Sequence, residues 1–337
     1  MRTVQATAAG GPEVLSVIEL PEPVPGPGEL LVEVAAAGVN FIDTYRRSGR
    51  YPVAFPHVVG SEGAGVVRAV GGSGAGAGSG ADRPTFAVGD RVAWLAGSSG
   101  SYAERTLVDA AQAVPVPAGG DLEVAAAVML QGATAHYLVD ATFPVLAGQD
   151  VLVHAGAGGV GLLLTQLAVA RGARVLTTVS TPAKAALSLA AGASHVLRYD
   201  QLEDLTTELP AWVRARTDGA GVHTVFDGVG RATFEASLAS LRPRGGLALF
   251  GGSSGPVPPF DPQRLNAAGS VYLTRPTLGH YTATRAELLG RTDALFSAIA
   301  AGTLDVRIGA RYPLERAADA HRALEGRATT GKVLLLP

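Results

Sequence analysis

The sequence predicts a two-domain α/β protein, in which a β-rich domain is joined to a doubly wound parallel-sheet domain. Three observations support this prediction. Residues 1–122 contain short β-like runs with turn signals between them, whereas strand-like and helix-like segments alternate after residue 123. A glycine-rich turn joins a strand to a helix within residues 150–184. A chain of 337 residues that is 47% hydrophobic is long enough to bury two cores.

The first segment has the spacing of a small antiparallel barrel or sandwich. Residues 21–28 form a proline-rich turn, and the glycine-rich residues 71–81 predict a mobile surface loop. The predicted strands lie at 30–34, 63–70, 91–95 and 102–108.

The second segment begins with a predicted helix at 122–138 and continues as repeated βα units, with strands at 151–154, 174–179, 194–197, 222–226, 246–250 and a possible sixth at 271–273. Helices are predicted at 182–191, 232–241 and 285–301. The last predicted strands, 308–312 and 332–336, have no place in the parallel sheet, so we expect them to return to the first domain. The expected domains are therefore 1–122 with 266–337, and 123–265.

The turn after the first parallel strand carries the strongest functional signal. Gly156, Gly158 and Gly161 match G-x-G-x-x-G, with Gly159 and Val160 between the last two. In a Rossmann unit, one glycine makes the tight turn, another lets the backbone approach a pyrophosphate, and the last lets the helix pack on the strand. Because a strand precedes the motif and a helix and strand follow it, the sequence predicts a dinucleotide site.

The end of the next strand indicates which dinucleotide binds. Sites for NAD place an Asp or Glu about 20 residues past the glycines to hold the ribose 2′-hydroxyl. Here Ser180, Thr181 and Lys184 occupy this stretch. The first acidic residue after the glycine motif is Asp200. Hydroxyls and a lysine suit a 2′-phosphate, so we expect NADPH. Thr181 can also be a helix N-cap with Pro182 at the first helical position, and both roles can hold together.

Composition excludes several classes of partner. The net charge of −2 and the pI near 6.4 give no electrostatic footprint for nucleic acid. There are no cysteines, which rules out disulfides and thiolate metal ligands. No uninterrupted apolar run has the length of a membrane span, and the N-terminus lacks the apolar core of a signal peptide. We therefore expect a cytoplasmic protein that does not enter membranes.

Several further motifs are spread over essentially the whole chain. They are AAGVNFIDTYRRSGRYP (36–52), GSEGAGVV (60–67), GDRVAW (89–94), HAGAGGVG (154–161), FDGVGRATF (226–234), LFGGSSG (249–255), LTRPTL (273–278) and GKVLLLP (331–337). In this order they resemble the medium-chain dehydrogenase/reductase superfamily, and its zinc-independent, zeta-crystallin-like quinone oxidoreductase branch in particular. The resemblance implies a GroES-like β-rich catalytic domain, a Rossmann domain, and NADPH-dependent reduction of quinones.

The chain departs from the zinc alcohol dehydrogenases of that superfamily at their catalytic metal. Asn40 stands where those enzymes have a cysteine, Ser61 stands where they have a histidine, and Glu62 alone cannot supply three ligands. We therefore expect no metal. Without a Lewis acid, the chemistry favours quinones and activated alkenes over alcohols and ketones.

The resemblance also implies the remaining site residues. Asn40 takes the former metal position, and Asp43 is expected to orient loop backbone rather than to move protons. Tyr45 and Tyr51 are either walls for a flat quinone ring or ordinary packed aromatics. His154 is expected to be structural. The residues implied to lie beside the cofactor are Asn40, Phe41, Asp43, Tyr45, Gln131, Thr134, Tyr199, Phe250, Gly251, Ser253, Arg275 and Lys332.

Two other functions remain open at this stage. An alkene or enoyl-thioester reductase of the same superfamily would need a proton donor, for which Tyr45 and Tyr51 are candidates. An NADPH-binding protein without turnover, of RNA-binding or crystallin-like type, is disfavoured by the net charge of −2. The apolar strand at 271–273 would form an exposed sheet edge, so we expect a homodimer.

Overall fold

The computed structural model describes residues 1–72, 85–96 and 99–337, so most of the glycine-rich segment at 71–81 lies outside the described residues. The strands are β1 (Arg2–Ala6), β2 (Leu15–Glu19), β3 (Glu29–Val39), β4 (His57–Val58), β5 (Glu62–Val70), β6 (Arg91–Trp94), β7 (Arg105–Asp109), β8 (Val114–Pro115), β9 (Asp150–Val153), β10 (Arg174–Val179), β11 (His195–Arg198), β12 (Val222–Asp227), β13 (Leu241–Leu249), β14 (Tyr272–Thr274), β15 (Ile308–Pro313) and β16 (Lys332–Leu336).

The α-helices follow the predicted alternation in the second half of the chain. They are α1 (Phe41–Arg47), α2 (Leu122–Tyr137), α3 (Gly159–Ala170), α4 (Pro182–Ala190), α5 (Leu205–Arg214), α6 (Phe234–Ala239), α7 (Gln263–Ala267), α8 (Leu278–Tyr281), α9 (Arg285–Ala300) and α10 (Ala317–Glu325).

The chain divides into two compact units. The first comprises Met1–Leu130, Thr284–Phe296 and Val306–Pro337, and the second comprises Gln131–Ala283 and Ser297–Asp305. These bounds differ from the expected domains at residues 123–130, which lie in the first unit, and at residues 266–283 and 297–305, which lie in the second. Strand β14 lies in the second unit because it pairs in parallel with β13.

The first unit contains two sheets. A small sheet has the strand order β2-β1-β4, which the sequence did not predict. The larger sheet runs β15-β16-β3-β5-β6-β8, and β7 also pairs with β3. The last strand, β16, pairs antiparallel with β3, so it lies in the sheet of the first unit. The core of this unit includes Val4, Leu30, Val32, Trp94, Tyr102, Leu314 and Val333.

The second unit holds a six-stranded parallel sheet in the order β11-β10-β9-β12-β13-β14. The chain starts at the central β9, builds outward through β10 and β11, and then returns to add β12, β13 and β14. This is the doubly wound Rossmann order, so the predicted fold class is confirmed. In such sheets ligands bind at the carboxyl ends of the strands, where the order reverses. Here that point lies between β9 and β12.

Among the residues that the structure describes, one helical stretch is long and apolar enough to cross a membrane, by length and composition only. It covers residues 122–142, with a mean hydropathy of 1.2 over its most apolar window. About three quarters of that window (72%) is buried inside the protein, as in the core helix of a globular protein.

Candidate cofactor and substrate sites

The glycine loop lies at the carboxyl end of β9 and leads into α3, with Gly158 as N-cap. A Cβ on Gly156 would lie 2.6 Å from Cβ of Thr177, so this glycine lets the loop pack on β10. A Cβ on Gly161 would overlap the carbonyl of Ala155. Gly158 differs, because a Cβ there would meet only the Ala155 carbonyl oxygen, at 3.2 Å. The space next to Gly158 is therefore nearly empty, so an anion can approach the backbone there.

The backbone of the loop has a left-handed residue just before the first glycine. This residue is Ala155, with φ of 53°. Gly156 and Gly161 are required by close packing of neighbouring atoms, which the glycine spacing alone could not distinguish from a turn requirement. The first turn of α3 carries no acidic side chain, so its free backbone N–H groups remain suited to a phosphate.

Ser180, Thr181 and Lys184 lie together where β10 ends and α4 begins. The Thr181 hydroxyl accepts a hydrogen bond from the backbone N–H of Lys184 at 3.2 Å, and Pro182 occupies the first turn. The expected N-cap role of Thr181 is thus confirmed. The Lys184 ammonium donates to the Ser180 hydroxyl at 3.4 Å. The structure brings these three side chains together, and their role toward a 2′-phosphate stays a prediction.

The other expected cofactor residues of the second unit also follow strand ends. Tyr199 comes directly after β11, Phe250 after β13 and Arg275 after β14. Because parallel strands end at the same edge of a sheet, these residues share the edge that carries the glycine loop. Phe250 and Ser253 donate backbone N–H groups to Asp227 and Gly228, which ties the loop after β13 to the loop after β12. Gly251 lies so close to Gly228 that a Cβ there would clash.

Helix α2 contributes Gln131 and Thr134, both buried in the second unit. A Cβ on Gly159 would overlap the side chain of Gln131, so this residue lies against the glycine loop. Thr134 lies about one turn further along the same helix.

His154 follows β9 and is structural, as expected. Its Nδ1 lies 2.9 Å from the Thr178 hydroxyl and its Nε2 lies 2.9 Å from the Ser237 hydroxyl. Ser237 donates its own proton to Asp227, so Nε2 of His154 is the nitrogen that donates to Ser237. Burial lowers the pKa of His154, which keeps the ring neutral.

Asp227 is a residue whose role sequence reasoning missed. It is fully buried at the end of β12 and accepts hydrogen bonds from the backbone N–H groups of Val229 and Gly230 at 2.8 and 3.0 Å. The hydroxyls of Thr233 and Ser237 also donate to it, each at 2.7 Å. These bonds fix the loop at the sheet's reversal point. The sequence signal for this role was Asp-Gly-Val-Gly at 227–230, because an aspartate side chain can accept hydrogen bonds from backbone N–H groups of the turn that follows it.

In the first unit, Asn40 lies in a buried polar cluster with Glu62 and Lys332. Asn40 Nδ2 donates to Glu62 Oε1 at 2.6 Å, and Lys332 Nζ donates to Asn40 Oδ1 at 2.9 Å. Lys332 and Glu62 also form a close ion pair, with exposures of 1% and 0%. The backbone N–H of Leu130 donates to Glu62 Oε2 at 2.6 Å. Lys332, expected beside the cofactor, is thus held by Asn40 and Glu62.

Asp43 orients loop backbone, as expected, because its Oδ2 accepts from the N–H of Asn40 at 2.9 Å. Its other oxygen accepts from the Ser61 hydroxyl at 2.7 Å, and Arg46 donates to Ser61 at 2.9 Å. Burial raises the pKa of Asp43, while these donors and the nearby Arg46 lower it.

A chain of hydrogen bonds that the sequence did not reveal leads away from Asp43. The Tyr102 hydroxyl donates to Asp43 Oδ2 at 3.2 Å and lies 3.2 Å from His321 Nε2. Arg47 donates to His321 Nδ1 at 3.1 Å and forms an ion pair with Glu325 at 2.7 Å. Since Arg47 can only donate, Nδ1 accepts and Nε2 carries the proton toward Tyr102. These residues are far apart in sequence, so no local motif could reveal them.

Helix α1 and the following turn present an aromatic cluster. The Tyr45 ring lies 5.4 Å from Tyr51 and 6.1 Å from Phe41, measured between centroids. The guanidinium of Arg50 lies 4.3 Å above the Tyr45 ring. Tyr51 is 37% exposed, so this cluster is not part of the closed core. Both interpretations of the two tyrosines therefore remain compatible with the geometry.

The donor set at positions 40, 61 and 62 does not fit a zinc site. It offers an amide and a hydroxyl, and the one carboxylate already binds the ammonium of Lys332. Within residues 1–72, 85–96 and 99–337, no group of three His, Cys, Asp or Glu side chains is arranged to hold a metal ion.

Comparison with known proteins agrees with this architecture. Residues 26–118 match the model of the alcohol dehydrogenase GroES-like domain, and residues 159–290 match that of the zinc-binding dehydrogenases. A quinone oxidoreductase of Pseudomonas aeruginosa is 43% identical over all of this chain and 99% of its own length. A 2-haloacrylate reductase from a Burkholderia species is 38% identical over 97% of this chain and 96% of its own.

The solved structures include a close match to this chain. A mycobacterial protein complexed with NADPH is 53% identical, with a TM-score of 0.95 and complete coverage of both chains. Identity above 30% over the full length, together with both matched domain models, establishes the family. The chain belongs to the quinone oxidoreductases of the medium-chain dehydrogenase/reductase superfamily.

Proposed function

We propose that this chain reduces quinones with NADPH. The observation that carries the proposal is the glycine loop at the reversal point of the parallel sheet, with hydroxyls and a lysine at the end of β10 where NAD sites have a carboxylate. The similarity to a quinone oxidoreductase and to a protein solved with NADPH supports both parts.

NADPH, when bound, supplies the hydride from its nicotinamide. The chain supplies binding and orientation. The N–H groups at the start of α3 bind the pyrophosphate, and Ser180, Thr181 and Lys184 bind the 2′-phosphate. In the first unit, Tyr45 and Tyr51 contact the flat acceptor. Asn40 has its amide bound by Glu62 and Lys332, so it acts by holding the start of α1 in place rather than by transferring a proton.

The function is tested by NADPH oxidation with a panel of acceptors, namely 1,4-naphthoquinone, 9,10-phenanthrenequinone, an enone, crotonyl-coenzyme A and simple aldehydes. We expect turnover with the quinones and none above background with the aldehydes. A simple aldehyde accepts hydride readily only when its carbonyl oxygen is polarised, and the side chains at positions 40, 61 and 62 do not fit a zinc ion that would do this. Absence of quinone turnover in the intact protein would refute the proposal.

Reduction of an activated alkene is the second candidate, favoured by the similarity to a 2-haloacrylate reductase. Such a reaction needs a proton donor, and Tyr45 and Tyr51 are the candidates in the aromatic cluster. If enones exceed every quinone by more than about tenfold in kcat/KM, or about 1.4 kcal/mol, this candidate replaces the first. The variants Tyr45→Phe and Tyr51→Phe then identify the donor by loss of turnover.

Lys184→Glu is expected to weaken NADPH binding strongly and NADH binding little. A lysine–phosphate pair at a partly exposed site contributes on the order of 1–2 kcal/mol, so the loss should be about tenfold or more. Fluorescence titration with both cofactors measures it, and Lys184→Gln should give an intermediate loss. Equal losses for NADPH and NADH would contradict the 2′-phosphate assignment.

We also propose a cytoplasmic homodimer. Strand β14 is at one end of the parallel sheet, and Tyr272 on it is 61% exposed. Such an edge presents unpaired backbone groups, for which twofold pairing is a common solution. Light scattering should give about twice the chain mass of 34.1 kDa, and Tyr272→Asp should shift the mass toward one chain. A monomeric parent protein at micromolar concentration would exclude this pairing.

A further inference from the structure

The ion pair between Lys332 and Glu62 is enclosed in the first unit. The two side chains are 1% and 0% exposed, and Asn40 beside them is 3% exposed. A buried pair is weak evidence for stability, because removal from water costs about as much as the attraction returns. The contacts with Asn40 indicate that the pair has a role other than stabilising the fold.

The pair determines which way the Asn40 amide points. Oδ1 accepts from the Lys332 ammonium, and Nδ2 donates to the Glu62 carboxylate. If the amide turned over, its NH₂ group would face the ammonium and its oxygen would face the carboxylate. Both contacts would then be repulsive, so only one orientation is compatible with the charged pair.

The carboxylate that sets this orientation is itself fixed. Glu62 Oε2 accepts from the backbone N–H of Leu130, which leaves Oε1 for Asn40 and Lys332. Gly38 provides the room, because a Cβ there would overlap the Glu62 side chain. The cluster therefore has one defined arrangement.

Asn40 in turn fixes the start of α1. It is the N-cap residue, and its backbone N–H is bound by Asp43 in the first turn. The same helix carries Phe41 and Tyr45 of the aromatic cluster. An ammonium supplied by the last strand, 292 residues along the chain from Asn40, thus acts on the helix that presents the acceptor-binding residues.

We propose that Lys332 is a positioning residue for quinone reduction, which holds the Asn40 amide and the start of α1 in the orientation needed for turnover. This inference rests on the proposed function. A purely structural ion pair would affect stability alone, so the two roles are separable by experiment.

The first comparison is between K332M and K332M/E62Q. K332M leaves Glu62 buried without its cation, so both Tm and kcat should fall. The double variant removes both charges, and Tm should recover toward the parent value. The amide that E62Q introduces can accept from the Leu130 N–H through its oxygen while its NH₂ faces Asn40, which favours the turned Asn40 amide. We therefore expect kcat with 1,4-naphthoquinone, measured at saturating NADPH, to stay at least about tenfold reduced in the double variant.

A second comparison keeps the test independent of how well the double variant folds. K332M retains the bond from Asn40 Nδ2 to Glu62, and E62Q retains the bond from Lys332 to Asn40 Oδ1. Each single variant should therefore lose kcat only in part, and kcat of K332M should still fall below that of the parent protein. R68M/E33Q is the control, because it removes an exposed ion pair between β3 and β5, the strand that also carries Glu62. That control should leave kcat unchanged.

Recovery of both Tm and kcat in K332M/E62Q would overturn the proposal, as would a kcat of K332M equal to that of the parent protein. The side-chain amide signal of Asn40 in NMR gives a readout without turnover, and it should shift in K332M/E62Q but not in R68M/E33Q. An unshifted signal would also overturn the proposal. Lack of quinone turnover in the parent protein would instead refute the proposed function, which the amide signal does not depend on.

Discussion

Gly158→Val is expected to abolish NADPH binding while leaving the protein folded. The N-cap residue has φ of −76° and ψ of 170°, an extended conformation that valine adopts without strain. Its Cβ would meet only the Ala155 carbonyl oxygen, at 3.2 Å, a tight contact that a shift of a few tenths of an ångström relieves. The branched side chain would instead occupy the space where backbone N–H groups approach the pyrophosphate.

The expected loss is more than about a hundredfold in affinity, or about 2.7 kcal/mol, by fluorescence titration. Gly156→Val is the matched control, because its side chain would run into Thr177 and Ser188, with first contacts at 2.6 and 2.7 Å. That variant should lower Tm. If Gly158→Val binds NADPH normally, the phosphate loop lies elsewhere in the chain.

Acid is expected to destabilise the first unit through His321. Burial, with a smaller effect from the Arg47 charge, lowers the pKa of His321 from 6.5 to about 3. Below pH 6.5 the unfolded chain binds a proton at this residue that the folded chain does not. The free energy of unfolding therefore has its full value above pH 6.5 and decreases as the pH falls toward 3, by up to about 1.4 kcal/mol per pH unit.

The lowered pKa of the buried His154 also makes the free energy of unfolding decrease as the pH falls. The raised pKa of Asp43 has the opposite effect on the free energy of unfolding. The contribution of His321 is therefore measured as a difference between variants. Denaturant unfolding at pH 7 and pH 4.5 should show a smaller pH dependence in His321→Gln than in the parent. His280→Gln, in the exposed part of α8, should keep the parent dependence. Identical dependences in all three proteins would exclude His321 as the sensitive group.

The sequence predicted the doubly wound sheet because its signals are local. A buried parallel strand needs a continuous apolar run, and a helix on the sheet needs an apolar stripe, so strands β9 to β14 could be located from residue order alone. The glycine loop and the Ser180–Lys184 segment were found for the same reason. The small sheet formed by β1, β2 and β4 was missed, since two of these strands are only partly buried and β4 has two residues.

The sequence by itself thus determined the two-domain α/β class, the glycine loop and the absence of cysteine. Its resemblance to the zinc alcohol dehydrogenases implied that Asn40 and Ser61 stand where those enzymes have zinc ligands. Only the tertiary structure decided which side chains surround these positions. The side chains of Lys332 and Glu62 are hydrogen-bonded although they are 270 residues apart in the sequence. Those of Arg47 and His321 are hydrogen-bonded over a separation of 274 residues. Such pairs depend on which strands and helices become neighbours, and buried charges must find their partners there because water is excluded. No local sequence pattern predicts these long-range contacts.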